Sequence, residues 1–123
     1  MNNNTFMSFY LKDTQMRIST KALRDIGMPY YVRFLVNPQT KQMIMQAYDK
    51  KELTSFKVAR KVFIDSKYHS FRIASKQFCT AVAHQLHWDM NRSYRVPGVI
   101  YSKQNLVQFD LSAAFLHESD SDD

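Results

Sequence analysis

Basic side chains are the chemistry this sequence offers most plainly. Arg17, Lys21 and Arg24 cluster at intervals of one helical turn, and Arg72 with Lys76 repeats the Arg17-to-Lys21 interval in the second half. Arg60 and Lys61, with Lys57 and Lys67 near them, crowd the stretch between. Lys and Arg neutralise phosphate, and such contacts fix a protein's register on a duplex while leaving base reading to other groups. Arg17, Lys21, Arg24, Arg60, Lys61, Arg72 and Lys76 are therefore the expected nucleic-acid contacts. For any one of them alone, the plain alternative is a solvated surface.

Other chemistries are poorly provided for. Cys79, His84 and His87 form the metal-like group, but Cys79 belongs to an apolar helical stripe with Phe78, Val82 and Leu86, while both histidines project from the polar side. A two-His site completed by Asp89 or His69 falls short of the four ligands of structural zinc, so no metal is expected. With only Gly27 and Gly98 there is no phosphate-cradling loop, and no cofactor is expected. The carboxylates are scattered, so no acid/base pair stands out. A buried Cys79 away from positive charge is a poor nucleophile. A small hydrolase or nuclease would have to be built from His84, His87 and Asp89. The expectation is a protein that is not an enzyme and takes no small-molecule substrate.

Composition agrees with a binding role. Seventeen Lys and Arg face eleven Asp and Glu, for a net charge of +6. Four of the acids (Glu118, Asp120, Asp122, Asp123) fall in the last six residues, leaving residues 1–117 at net +10. A compact basic body attracts polyanions, and the acidic run reads as a disordered, self-repelling tail. The 123 residues, 45% of them apolar, suffice for one domain or two half-domains sharing a core. No apolar run approaches the roughly 18 residues a membrane span needs, so no membrane is expected as a partner. Met1-Asn2-Asn3-Asn4-Thr5 lacks the layout of a signal peptide, and a lone cysteine excludes an internal disulfide. Both point to the cytoplasm.

The elements that must position these residues are legible in part. Thr5 to Leu11 reads as a strand and Met16-Arg17-Ile18 as its return. Ser19 or Thr20 caps a short helix with Ala22, Leu23 and Ile26 on one face, stopped by Gly27 and Pro29. Strands over 30–36 and 42–48 flank a turn at Asn37-Pro38. The β-branched content of Phe56 to Ile64 favours strand. Phe71-Arg72-Ile73 leads into a helix capped by Ser75. Strands over 94–101 and 106–111 follow, the first demoted by Pro97 and Gly98 to an edge or a bulge. Ser112 to His117 reads as a last helical turn.

An internal repeat organises the whole. Arg17-Ile18-Ser19-Thr20-Lys21-Ala22-Leu23 and Arg72-Ile73-Ala74-Ser75-Lys76-Gln77-Phe78 align without a gap, each followed by strand, turn and strand. The fold class expected is α+β, with two pseudo-repeated strand-strand-helix-strand-strand halves sharing one core and helices against an antiparallel sheet or barrel. Residues 1–48 form the first half, 49–117 a connecting segment and the second half, and 118–123 the tail.

Residues Met16 to Gly27, with the strand and turn after them and Gln42-Met43-Ile44-Met45-Gln46, resemble the AbrB-type swapped-hairpin unit. There a strand leads through Gly-Arg into a strand, a Pro, a Leu-Arg helix ending in Leu-Gly, and a closing hairpin. The resemblance covers about residues 10 to 48 and, more loosely, 65 to 111, and two units in one chain look like the MraZ branch. It implies a bacterial DNA-binding regulator, with Arg17 and Arg24 on DNA in the first half and Arg72 in the second. The chain departs from the pattern at Gln15, where the family has its turn Gly, at Thr20, which replaces the helix-entry Pro, and in its longer second helix. A tandem repeat of this kind equally fits a saddle-like sheet, as in TATA-binding-like folds.

The function expected is a small non-enzymatic module binding duplex DNA in a regulatory role. The alternative is a protein-protein interaction module. It would offer Tyr30, Tyr31, Met43, Met45 and Tyr48 to a protein partner or to a second copy in a homodimer.

Overall fold

The computed structural model describes residues 4–65 and 67–117; the expected acidic tail, 118–123, lies outside the described residues. In chain order come β1 (Asn4–Tyr10), β2 (Gln15–Ser19), α1 (Thr20–Asp25), β3 (Tyr31–Asn37), β4 (Gln42–Tyr48), β5 (Ser55–Lys57) and α2 (Lys61–Ile64). Then follow β6 (Ser70–Ala74), α3 (Lys76–Leu86), β7 (Ser93–Tyr101), β8 (Leu106–Asp110) and β9 (Phe115–Leu116). All pairings are antiparallel, in the order β5-β3-β4-β8-β7-β1-β2-β6, with β9 also on β7. The sheet curls into a nearly closed barrel whose end strands, β5 and β6, are not paired with each other.

This corrects the α+β expectation of helices laid against a sheet. Inward residues from strands all round the ring fill the core: Met7 and Phe9, Met16 and Ile18, Val32, Met43 and Met45, Val96, Val107 and Phe109. Each large side chain so buried contributes roughly 1.5–3 kcal/mol. Alternation in sequence marks which face is apolar but not what covers it, and here the opposite wall of the same sheet does. The order strand-strand-helix-strand-strand occurs twice, as β1, β2, α1, β3, β4 and as β5, β6, α3, β7, β8 with α2 inserted. β5 pairs with β3 as β1 pairs with β7, but β5 and β6 are not joined as β1 and β2 are.

The twin Arg-Ile segments lie side by side. β2 and β6 pair in a register symmetric about Arg17 and Arg72. One further backbone bond extends the ladder at each end, Thr20 N–H to the His69 carbonyl and Ser75 N–H to the Thr14 carbonyl, both 3.0 Å. The helices leave these strands through serine caps: Ser19 Oγ accepts from Ala22 N–H and Ser75 Oγ from Phe78 N–H, each at 3.1 Å. Gly27, at φ +99°, helps end α1.

Three local expectations are corrected. Within Phe56–Ile64 only Phe56 and Lys57 are strand, and Lys61–Ile64 is a single helical turn that buries Val62. β7 is central, between β1 on one side and β8 with β9 on the other. Pro97 is tolerated there because β8 pairs only from Gly98 onward and β9 only up to Arg95, so that side needs no ladder donor at Pro97. Leu111–Ala113 forms a tight turn, its Ser112 N–H donating to Asp110 Oδ1 at 3.0 Å, and Phe115–Leu116 is strand rather than helix.

Candidate nucleic-acid interface

Four neighbouring strands turn polar and aromatic side chains outward from this core. With Met7 and Phe9 inside, β1 presents Phe6, Ser8 and Tyr10; with Met16 and Ile18 inside, β2 presents Gln15, Arg17 and Ser19. β6 buries Phe71 and Ile73 and presents Arg72, while β7 buries Val96 and presents Arg95. The registers then join Arg72 to Arg17, Arg17 to Ser8, Ser8 to Arg95 and Arg95 to Phe115. One row therefore crosses β6, β2, β1, β7 and β9, with three arginines in it.

Rings accompany the guanidinium groups. Arg17 Cζ lies 5.0 Å from the Tyr10 ring centroid and Arg95 Cζ 5.7 Å from that of Phe6. Phe6 meets Phe115 edge to face at 6.1 Å, and Tyr10 meets His117 likewise at 6.1 Å. Arg95 Nη2 stands 3.1 Å from His117 Nε2. Arg17 Nε and Arg95 Nε are buried and have no hydrogen-bond partner among the described residues. A hollow of about 440 Å³ opens here, lined by Arg17, Arg95, Tyr10, His69, Ser8, Ser19 and Ser70 among others, and by no carboxylate of the described residues. Like charges directly opposite each other destabilise a ladder, and orphaned donors are costly. An anion bound between them would relieve both.

The other expected contacts go elsewhere. Lys21 pairs with Asp25 at 2.7 Å on the exposed side of α1. Arg24 Nη2 donates to the Phe63 carbonyl at 3.0 Å, tying α1 to α2. Arg60 donates to the Met28 and Pro29 carbonyls at 2.9 and 2.5 Å and lies over the rings of Tyr30 and Phe63. It latches the turn after α1. Lys61 Nζ lies 5.8 Å from the Tyr68 ring, and Lys76 is exposed at the start of α3. Of the seven residues, then, Arg17 and Arg72 share the row.

Arg95 was missed by the sequence reading, as were Phe6, Tyr10 and Phe115 beside it. Period-two alternation about Val96 already turns Arg95 outward; its place beside Arg17 depends on β1 lying between β2 and β7. The Tyr- and Met-rich surface is corrected too, since Met43 and Met45 are fully buried. Tyr30 is exposed but is engaged by Arg60.

Among the described residues, no three His, Cys, Asp or Glu side chains are grouped to hold a metal. Cys79 is buried, and burial pushes its thiol up to about 11. No helix among the described residues is long and apolar enough to cross a membrane. Comparison with protein families, with curated proteins and with solved structures found no match to this chain.

Proposed function

We propose that this chain is a nucleic-acid-binding module that acts without catalysis, its arginine row gripping the phosphate backbone. The observation that carries this reading is Arg72, Arg17 and Arg95 aligned on one face, with a hollow between Arg17 and Arg95 that no carboxylate of the described residues lines. The net +10 of residues 1–117 supplies the long-range attraction. The resemblance to AbrB- and MraZ-type units supports nucleic acid as the ligand and a regulatory role, and the lone cysteine supports the cytoplasm.

Fluorescence anisotropy with labelled oligonucleotides over a salt series tests this. Three phosphate contacts give a slope of log K against log salt of about −2 to −3. Arg17→Ala with Arg95→Ala flattens that slope. A protein that ignores every oligonucleotide at low salt overturns the reading.

A further inference from the structure

Phe6 and Phe115 are 45% and 48% exposed, although both sit on ordered strands next to the arginine row. Their rings stand perpendicular, at 88°, so each keeps surface open to solvent. Phe115 is the cross-strand neighbour of Arg95, and Phe6 lies beneath the Arg95 guanidinium. Two exposed rings therefore flank the Arg95 end of the row.

We propose that the face takes single-stranded nucleic acid, with phosphates along Arg72, Arg17 and Arg95 and bases stacked on Phe6 and Phe115. The inference rests on the nucleic-acid reading above and specifies its substrate. Every base has a π-face, and stacking on exposed aromatic rings binds single strands without regard to sequence. In a duplex those faces are hidden within the stack, and the exposed rings gain nothing. The residues lining the hollow all lie on neighbouring strands or just before β6, a sheet face across which a single strand can run. With strands about 4.8 Å apart, the run from Arg72 to Arg95 is about 14 Å long, a track for a few nucleotides. The absence of carboxylates among its lining residues suits this occupant better than a protein partner of mixed charge.

The test is anisotropy with labelled oligothymidylate and with a duplex of equal length, using the full chain and its Phe6→Leu and Phe115→Leu variants, which keep apolar bulk. Oligothymidylate binds more tightly than duplex, and each leucine variant weakens single-strand binding by about 5- to 100-fold, a larger loss than it causes for duplex. Ultraviolet cross-linking of oligothymidylate to the unaltered protein, mapped by mass spectrometry, attaches at Phe6 or Phe115. Duplex bound as tightly as single strand, or cross-links confined to other residues, overturns the inference and leaves the nucleic-acid reading standing. Loss of all nucleic-acid binding at low salt overturns both.

Discussion

Arg72 stands directly opposite Arg17 in the β2–β6 ladder. Two like charges at that separation, about 4.5–5.5 Å between Cα atoms, oppose the pairing that holds them. Replacing Arg17 and Arg72 together with Ala is therefore expected to weaken oligonucleotide binding. Urea melts stay unchanged or move up by less than about 1 kcal/mol, the scale of a cross-strand charge pair. A large loss of stability would mean that the pair serves the fold rather than a ligand.

Residues 118–123 carry four carboxylates and follow His117, whose ring stands 3.1 Å from Arg95. Their removal is expected to tighten binding several-fold at low salt, since it raises the net positive charge of the chain from +6 to +10. The difference shrinks as salt screens it. Binding isotherms of the full and shortened chains at two salt concentrations check this. An unchanged affinity at low salt would separate the acidic residues from the site.

Gly98 leaves room for the ring of Phe109. A Cβ at Gly98 would lie 2.5 Å from Phe109 Cδ1 and 2.7 Å from Cε1. Gly98→Ala is expected to cost about 1–3 kcal/mol, as overpacking does. Phe109→Leu made with it recovers part of that loss, because the two changes share one contact. Additive effects in a double-mutant cycle would remove the contact as the cause.

Burial moves the Cys79 thiol from 9.0 to about 11, so the folded chain holds its proton where the unfolded chain releases it. That contribution to stability is complete below 9.0 and declines as pH rises through about 11. The melting temperature of the unaltered protein should therefore fall more steeply over this window than that of Cys79→Ala. Parallel curves would show that the thiol is not what titrates.

Local signals in the sequence were reliable where one segment decides its own structure. The Ser75 cap and the Cys79 and Val82 positions announce α3, and Gly27 with Pro29 ends α1. Within the stripe, Cys79 and Val82 are buried but Leu86 only partly so. The Arg17 and Arg72 repeat drew attention to two residues that the fold makes neighbours. The rest of the site was not legible, because Arg95 joins the row through a register between strands distant in sequence. Arg24 and Arg60, which look available for phosphate in the sequence, donate to backbone carbonyls in the fold, which the sequence does not announce. Pro97 misled for a similar reason, since a central strand can carry a proline where two short neighbours leave a gap beside it.

Ser8 meets Arg95, 87 residues further along the chain, because β1 pairs with β7. A ribosome releases β1 and its first partner β2 long before β7 exists, so Met7 and Phe9 wait without an opposite wall while the middle of the chain is made. Such long-range pairing is slow to form. Arg17 and Arg72 can meet earlier, but the third arginine arrives only when β7 closes against β1. A nascent or truncated copy would therefore carry the positive charge without the finished grip, and strong attachment to a polyanion would mark a chain that has completed its folding.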